Sequence, residues 1–214
     1  EPKRVGTSLP PASEPVIGYM GTGGHVEDLA AIIPVIERLL EERPALSFEL
    51  FGSLEMPFEL MRFGDRVRKL PFMKSYEEFT ETLANLGWWV GLAPLVDNVF
   101  NGCKADTKWV EYASAGIPVV ASNTPVYDYA CQGGAGLMAD GPAGWYQAIN
   151  MLLDNHQMRA DQTAKADAHL RANYSHQRLL AQVEHVFAAA QHLAKQRKVR
   201  DGQASMAFAG GQTT

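Results

Sequence analysis

Cysteine is scarce in this 214-residue chain, which has only Cys103 and Cys131. Two thiols without paired spacing build neither a disulfide framework nor a zinc site, and they suit a reducing cytoplasmic compartment as free thiols. Positive charge is also short. The formal net charge is −5, which argues against a nucleic-acid binder, whose footprint is usually a basic face. No apolar run approaches the roughly 18–20 residues of a membrane span, and the N-terminus lacks an apolar signal segment. No membrane insertion is therefore expected from these residues. His156, His169, His176, His185 and His192 are scattered without ligand spacing, so no metal site is expected.

What remains is organised by alternation. Residues 1–15 carry four prolines and no hydrophobic period, the composition of a linker or lead-in. From there to about residue 195, short apolar runs alternate with helical patterns, which calls for an α/β domain: a doubly wound, Rossmann-like parallel sheet with helices on both faces. The runs predict strands at Val16–Met20, Ser47–Phe51, Val67–Leu70, Trp88–Ala93, Val119–Ala121 and Gly136–Met138. A single amphipathic helix is expected over Glu27–Glu42, with Leu29, Ile32, Ile33, Ile36, Leu39 and Leu40 as its apolar stripe. Further helices are expected at Tyr76–Asn85, Thr107–Ala115, Val126–Tyr129 and Gly144–Asp154. Two more close the domain over 157–194, broken near Asn173 with Ser175 as N-cap. Residues 196–214 are basic and then small and polar, the composition of a disordered tail.

In such sheets ligands bind at the carboxyl ends of the strands. The first strand-to-helix turn reads Gly21-Thr22-Gly23-Gly24-His25. Its glycines admit close approach of a ligand, and the amides of the following helix favour an anion, so a phosphate suits this turn. It matches neither the dinucleotide fingerprint, which would need glycine where Val26 stands, nor the phosphate loop of NTPases, which would need a lysine where His25 stands. His25 has two readings: a contact to phosphate or sugar, or a helix cap above Asp28.

Lys108 and Glu111 are three residues apart and share one helix face near the helix start. A lysine there opposes the helix dipole unless an anion offsets it, and Lys104 adds a second cation just upstream. Together they suit a diphosphate, with Glu111 accepting hydrogen bonds from a pair of ribose hydroxyls. The bland alternative is a Lys108–Glu111 surface ion pair of small worth.

The stretch Glu111-Tyr112-Ala113-Ser114-Ala115-Gly116-Ile117-Pro118-Val119-Val120-Ala121-Ser122 resembles the signature region of the group 1 glycosyltransferases of GT-B fold. The likeness extends more weakly over Val16–Phe187. It implies the C-terminal, donor-binding domain of an enzyme that moves a hexosyl-type unit from a nucleoside diphosphate sugar, of UDP or GDP type, to an acceptor. No further cofactor is implied. The partners implied are the nucleotide sugar and an N-terminal acceptor-binding domain absent from this chain, without which this domain is expected to be inactive. By resemblance, Glu111 binds the ribose, Lys104 or Lys108 holds the phosphates, and the loop containing Phe72 frames the base. The family often carries a second glutamate eight residues before the first, at the donor sugar. Cys103 stands there, leaving Asn101 or the backbone of Gly102 to take that contact. The setting implied is surface polysaccharide or glycoconjugate synthesis in the cytoplasm, peripheral to the inner membrane face.

Phe72 and Tyr76 have two roles open, support of a base or packing, with packing favoured for Tyr76. Trp88 and Trp89 are read as core. A nucleotide-sugar epimerase and a noncatalytic nucleotide-sensing or interaction domain of the same fold stand as alternatives.

Overall fold

A computed structural model describes residues 14–209. They divide into two units, one ending at Arg171 and the other beginning at Ala172. The first is built on six strands: β1 (Val16–Gly21), β2 (Ser47–Gly52), β3 (Val67–Leu70), β4 (Val90–Ala93), β5 (Val119–Ser122) and β6 (Leu137–Ala139). All pair in parallel, in the order β3-β2-β1-β4-β5-β6. The order reverses between β1 and β4, and a crevice opens beyond the strand ends there.

The helices are α1 (Val26–Ala30), α2 (Ile33–Glu42), α3 (Tyr76–Asn85), α4 (Thr107–Ser114), α5 (Pro125–Asp128), α6 (Gly141–Asp154), α7 (His156–Asn173) and α8 (His176–Ala209). Helices α2 and α6 pack together on one face of the sheet, and α3 and α4 meet on the other. The core of the first face includes Ile17, Tyr19, Ile36, Leu39, Phe48, Leu50, Ile149 and Leu152, all 0% exposed. The stripe expected for the first helical segment is buried, Ile33 being only partly so.

One expectation is corrected and one segment is added. The single helix over 27–42 is broken at Ala31-Ile32, because Pro34 has no N–H to continue the ladder and its ring opposes the preceding turn. Phe58–Arg66, unassigned from the sequence, forms tight 3₁₀ turns with Gly64 at φ 57°. Residue 196, where the tail is expected to begin, lies within α8. Helix α8 continues to Ala209, its last stretch holding no proline and one glycine, Gly202. The break at Tyr174-Ser175 is as expected, the Ser175 hydroxyl accepting the Arg178 N–H at 3.3 Å. Most of the lead-in expected at 1–15, and residues 210–214, lie outside the described residues. No described helix is long and apolar enough to cross a membrane.

Candidate functional site

One side chain of α4 holds that helix to β4 and to the carboxyl end of β1. The Tyr112 hydroxyl donates to Leu92 O at 3.0 Å on β4 and accepts from Met20 N–H at 3.1 Å on β1. With Trp109 buried and its Nε1–H on Ala135 O at 3.0 Å, α4 presents its remaining face, that of Lys108 and Glu111, to the crevice. Beside it, β2 ends on Gly52 at φ 124°, where a Cβ would lie 2.3 Å from Gly21 O. Only glycine fits the close approach of these two strand ends.

The result is a cleft of about 580 Å³. Its lining combines the end of β1 and the turn after it (Gly21, Thr22, His25), Phe72 from the loop before α3, Tyr76 at the start of α3, and Lys104, Lys108, Glu111 and Tyr127. One end is aromatic. Phe51 stacks on Phe79 at 5.2 Å, Tyr76 lies 6.0 Å from Phe79, and Phe72 and Tyr76 stand 57% and 67% exposed on the rim. Tyr76 thus packs against Phe79, the role favoured from the sequence, and also leaves ring surface open at the rim.

The other end is charged. His25 Nδ1 lies 2.8 Å from Asp28 Oδ2, and Lys104 Nζ 3.7 Å from the same oxygen. Lys108 Nζ sits 3.3 and 3.2 Å from the two ring nitrogens of His25. The Lys108–Glu111 ion pair weighed above is not formed. The Glu111 carboxylate makes no hydrogen bond or ion pair among the described residues, while its backbone carbonyl accepts the Ala115 N–H at 3.1 Å. Burial pushes its carboxyl up to about 7, partly opposed by the Lys108 charge. Burial lowers Lys108 to about 8, Lys104 adding to the effect while Asp28 and Glu111 oppose it. Burial likewise lowers His25, with both lysines contributing and Asp28 resisting. Asp28 stays below the usual carboxylate range although burial raises it, because His25, the Val96 N–H and Lys104 stabilise its charge.

The sequence-derived residues thus divide. Gly21, Thr22, His25, Phe72, Lys104, Lys108 and Glu111 meet in the cleft; Gly23, Gly24, Asn101, Gly102 and Cys103 do not line it. Asn101 is buried beneath the site, its amide donating to Asp28 Oδ1 at 3.1 Å and Val96 O at 2.7 Å. Gly102 and Cys103 are exposed. Gly23 and Gly24 sit just outside, with nothing within 4 Å of an added Cβ and no positive φ. Sequence reasoning named Asp28 only as the residue below His25 and gave it no role in the site. Its signal was its place four residues before Ile32, which sets a carboxylate on the buried side of the helical stripe. Among the described residues no cluster of His, Cys, Asp and Glu can hold a metal ion.

Known proteins share this frame. A family model described as glycosyl transferase-like matches residues 33–185. A TarM variant from S. aureus, crystallised with fondaparinux, α-GlcNAc-glycerol and UDP, is similar at TM-score 0.64 and 16% identity, over 87% of this chain and 36% of that one. HepE from Anabaena, crystallised with UDP and glucose, gives 0.64 and 16%, over 81% and 48%. The C-terminal domain of LpcC, a glycosyl transferase group 1 family protein from Francisella tularensis, gives 0.60 and 12%, over 77% and 88%. The chain spans about a third to a half of the first two proteins and most of the LpcC domain. At these identities the likeness is one of fold. No curated protein matches in sequence. The sheet order and the family match together establish that this chain belongs to the glycosyl transferase-like family, with the Rossmann-like fold of a GT-B C-terminal domain.

Proposed function

We propose that this domain binds the nucleoside diphosphate sugar donor of a hexosyl transfer reaction, and that a second domain, outside this chain, supplies the acceptor site. The observation that carries the reading is the division of the cleft into an aromatic end and a two-lysine end, with Glu111 in electrostatic reach of both Tyr76 and Lys108. A nucleoside diphosphate has the same order of parts: a flat base, a ribose diol and a dianionic bridge. Phe72 and Tyr76 offer faces for the base. Glu111, with no partner of its own, accepts from the ribose diol, and Lys104 and Lys108 hold the diphosphate.

The chemistry follows from where charge grows. Breaking the anomeric bond leaves the diphosphate more negative, and cations already in place stabilise that state more than the ground state. Burial leaves Lys108 poorly solvated and disfavours its charge, so an arriving diphosphate meets a cation with few competing water contacts. Because the lysines neutralise the leaving group, no further cofactor is required by this reading. A cytoplasmic role in surface polysaccharide or glycoconjugate synthesis is consistent with it.

The test is calorimetric titration of this chain with UDP, GDP and ADP, beside Glu111→Ala. One nucleotide binding selectively, with at least a tenfold loss in the variant, would support the donor site and name its base. If the folded chain bound none of the three, the weight would shift to the noncatalytic interaction domain.

A further inference from the structure

Asp28 ties the turn after β1 to the loop after β4 beneath the cleft. Only 2% of its surface is exposed. Oδ1 accepts from the Val96 N–H at 2.9 Å and from Asn101 Nδ2 at 3.1 Å. Oδ2 meets His25 Nδ1 at 2.8 Å and lies 3.7 Å from Lys104 Nζ. An ionised carboxylate only accepts hydrogen bonds, so the proton shared with His25 belongs to Nδ1.

The position of Lys108 then decides the rest. Its ammonium is nearly equidistant from both ring nitrogens, at 3.3 and 3.2 Å. A donor in line with the Nε2 lone pair would stand much farther from Nδ1, so the ammonium lies over the ring face, as cations do over aromatic rings. The in-plane lone pair of Nε2 remains. Nδ1 faces the buried Asp28, and the two nitrogens of an imidazole point apart, so Nε2 points away from Asp28 on a side chain that is 22% exposed and lines the cleft.

We infer that Asp28 is a positioning residue, which fixes His25 as the neutral Nδ1–H tautomer and thereby makes its Nε2 an acceptor for a ligand hydroxyl of the sugar or ribose, not a donor to phosphate. The inference rests on the donor-site reading for the ligand but not for the tautomer. Asp28 also braces the loop between Val96 and Lys104, so the same carboxylate sets one phosphate-binding cation and one hydroxyl acceptor. The charged groups around the ring are Asp28, Lys104 and Lys108.

The experiment is long-range ¹H–¹⁵N NMR of the His25 ring in the nucleotide-free chain at pH 7.5, assigned with His25→Gln. A protonated Nδ1 with an unprotonated Nε2 is expected; an Nε2–H tautomer, or a fast average of the two, would overturn the inference without any variant being needed. In Asp28→Asn the amide oxygen takes over the bonds from Val96 and Asn101, which turns the NH₂ toward Nδ1. That variant should switch His25 to Nε2–H and weaken the nucleotide that binds the parent at least tenfold. A folded Asp28→Asn chain that kept the Nδ1–H signal would refute the role of Asp28. A parent with the expected tautomer but no nucleotide affinity would refute the donor site and leave the positioning of His25 standing.

Discussion

Glu111 and Lys108 are one helical turn apart, and each is held in a state that opposes its charge in water. Both are half-buried, and neither is neutralised by the other at close range, so the folded chain carries the cost of two poorly solvated groups. The pH dependence has a definite sign. Glu111 binds its proton more tightly in the folded chain, with its value raised from 4.5 to about 7. Its ionisation therefore penalises the native state above about pH 7, and the penalty fades as pH falls toward 4.5. Lys108, lowered from 10.5 to about 8, penalises the native state below about pH 8, and that cost fades as pH rises toward 10.5. Glu111→Gln should accordingly melt higher than the parent at pH 8, by about 2–4 °C for each kcal/mol relieved. Its advantage should vanish near pH 4.5. Differential scanning calorimetry across that range measures it, and an advantage constant with pH would show that Glu111 carries no burial cost. The spacing of Lys104, Lys108 and Glu111 was legible in the sequence because it is local to one helix and the loop before it. Asp28 was not, since the partners that give it a role, Val96, Asn101 and Lys104, come from another part of the chain.

Among the elements, glycines serve two different ends. Gly18 lies in β1 beneath the Trp88 ring, and a Cβ there would come within 1.9 Å of Trp88 Cδ2. Trp88 is 1% exposed and donates to Glu49 Oε2 at 2.6 Å, so it has nowhere to retreat. Gly23 and Gly24 meet no such neighbour and adopt no positive φ, so the fold itself has no need of glycine at either position. Close approach of a ligand supplies a reason for them. Gly18→Ala should cost about 3 kcal/mol or more by overpacking, whereas Gly24→Ala should leave urea stability within about 0.5 kcal/mol yet weaken nucleotide binding. Equal destabilisation by both would place Gly24 in the fold rather than in the site. At this scale the sequence pattern located all six strands to within two residues at either end, because buried parallel strands read as short apolar runs. It missed the break before α2, where the apolar period carries on through Pro34 although the backbone ladder does not.

For the whole molecule, the relevant quantity is linkage between ligand and fold. A ligand that binds only the native state adds RT ln(1 + [L]/Kd), about 2.7 kcal/mol at a hundredfold excess over Kd. For a chain of this length that corresponds to a rise of roughly 5–10 °C in melting temperature. The nucleotide that binds in calorimetry should produce it, and inorganic phosphate at the same concentration should not. An equal rise with phosphate would point to a general anion site without a base pocket.

The sequence by itself determined the fold class, the order of strands and helices, and the family, because apolar period, turn residues and the Glu111–Ser122 stretch are local signals that survive without coordinates. It also placed the lysines and Glu111 at a strand's carboxyl end. Only the tertiary structure decided what those residues face. It brought Lys108 onto His25 across 83 positions and Asp28 onto Val96 across 68, and it put Tyr76 on the rim of the cleft. The reason is that the sheet reverses between β1 and β4, so segments far apart in sequence converge at one edge, and hydrophobic periodicity carries no information about which strands become neighbours.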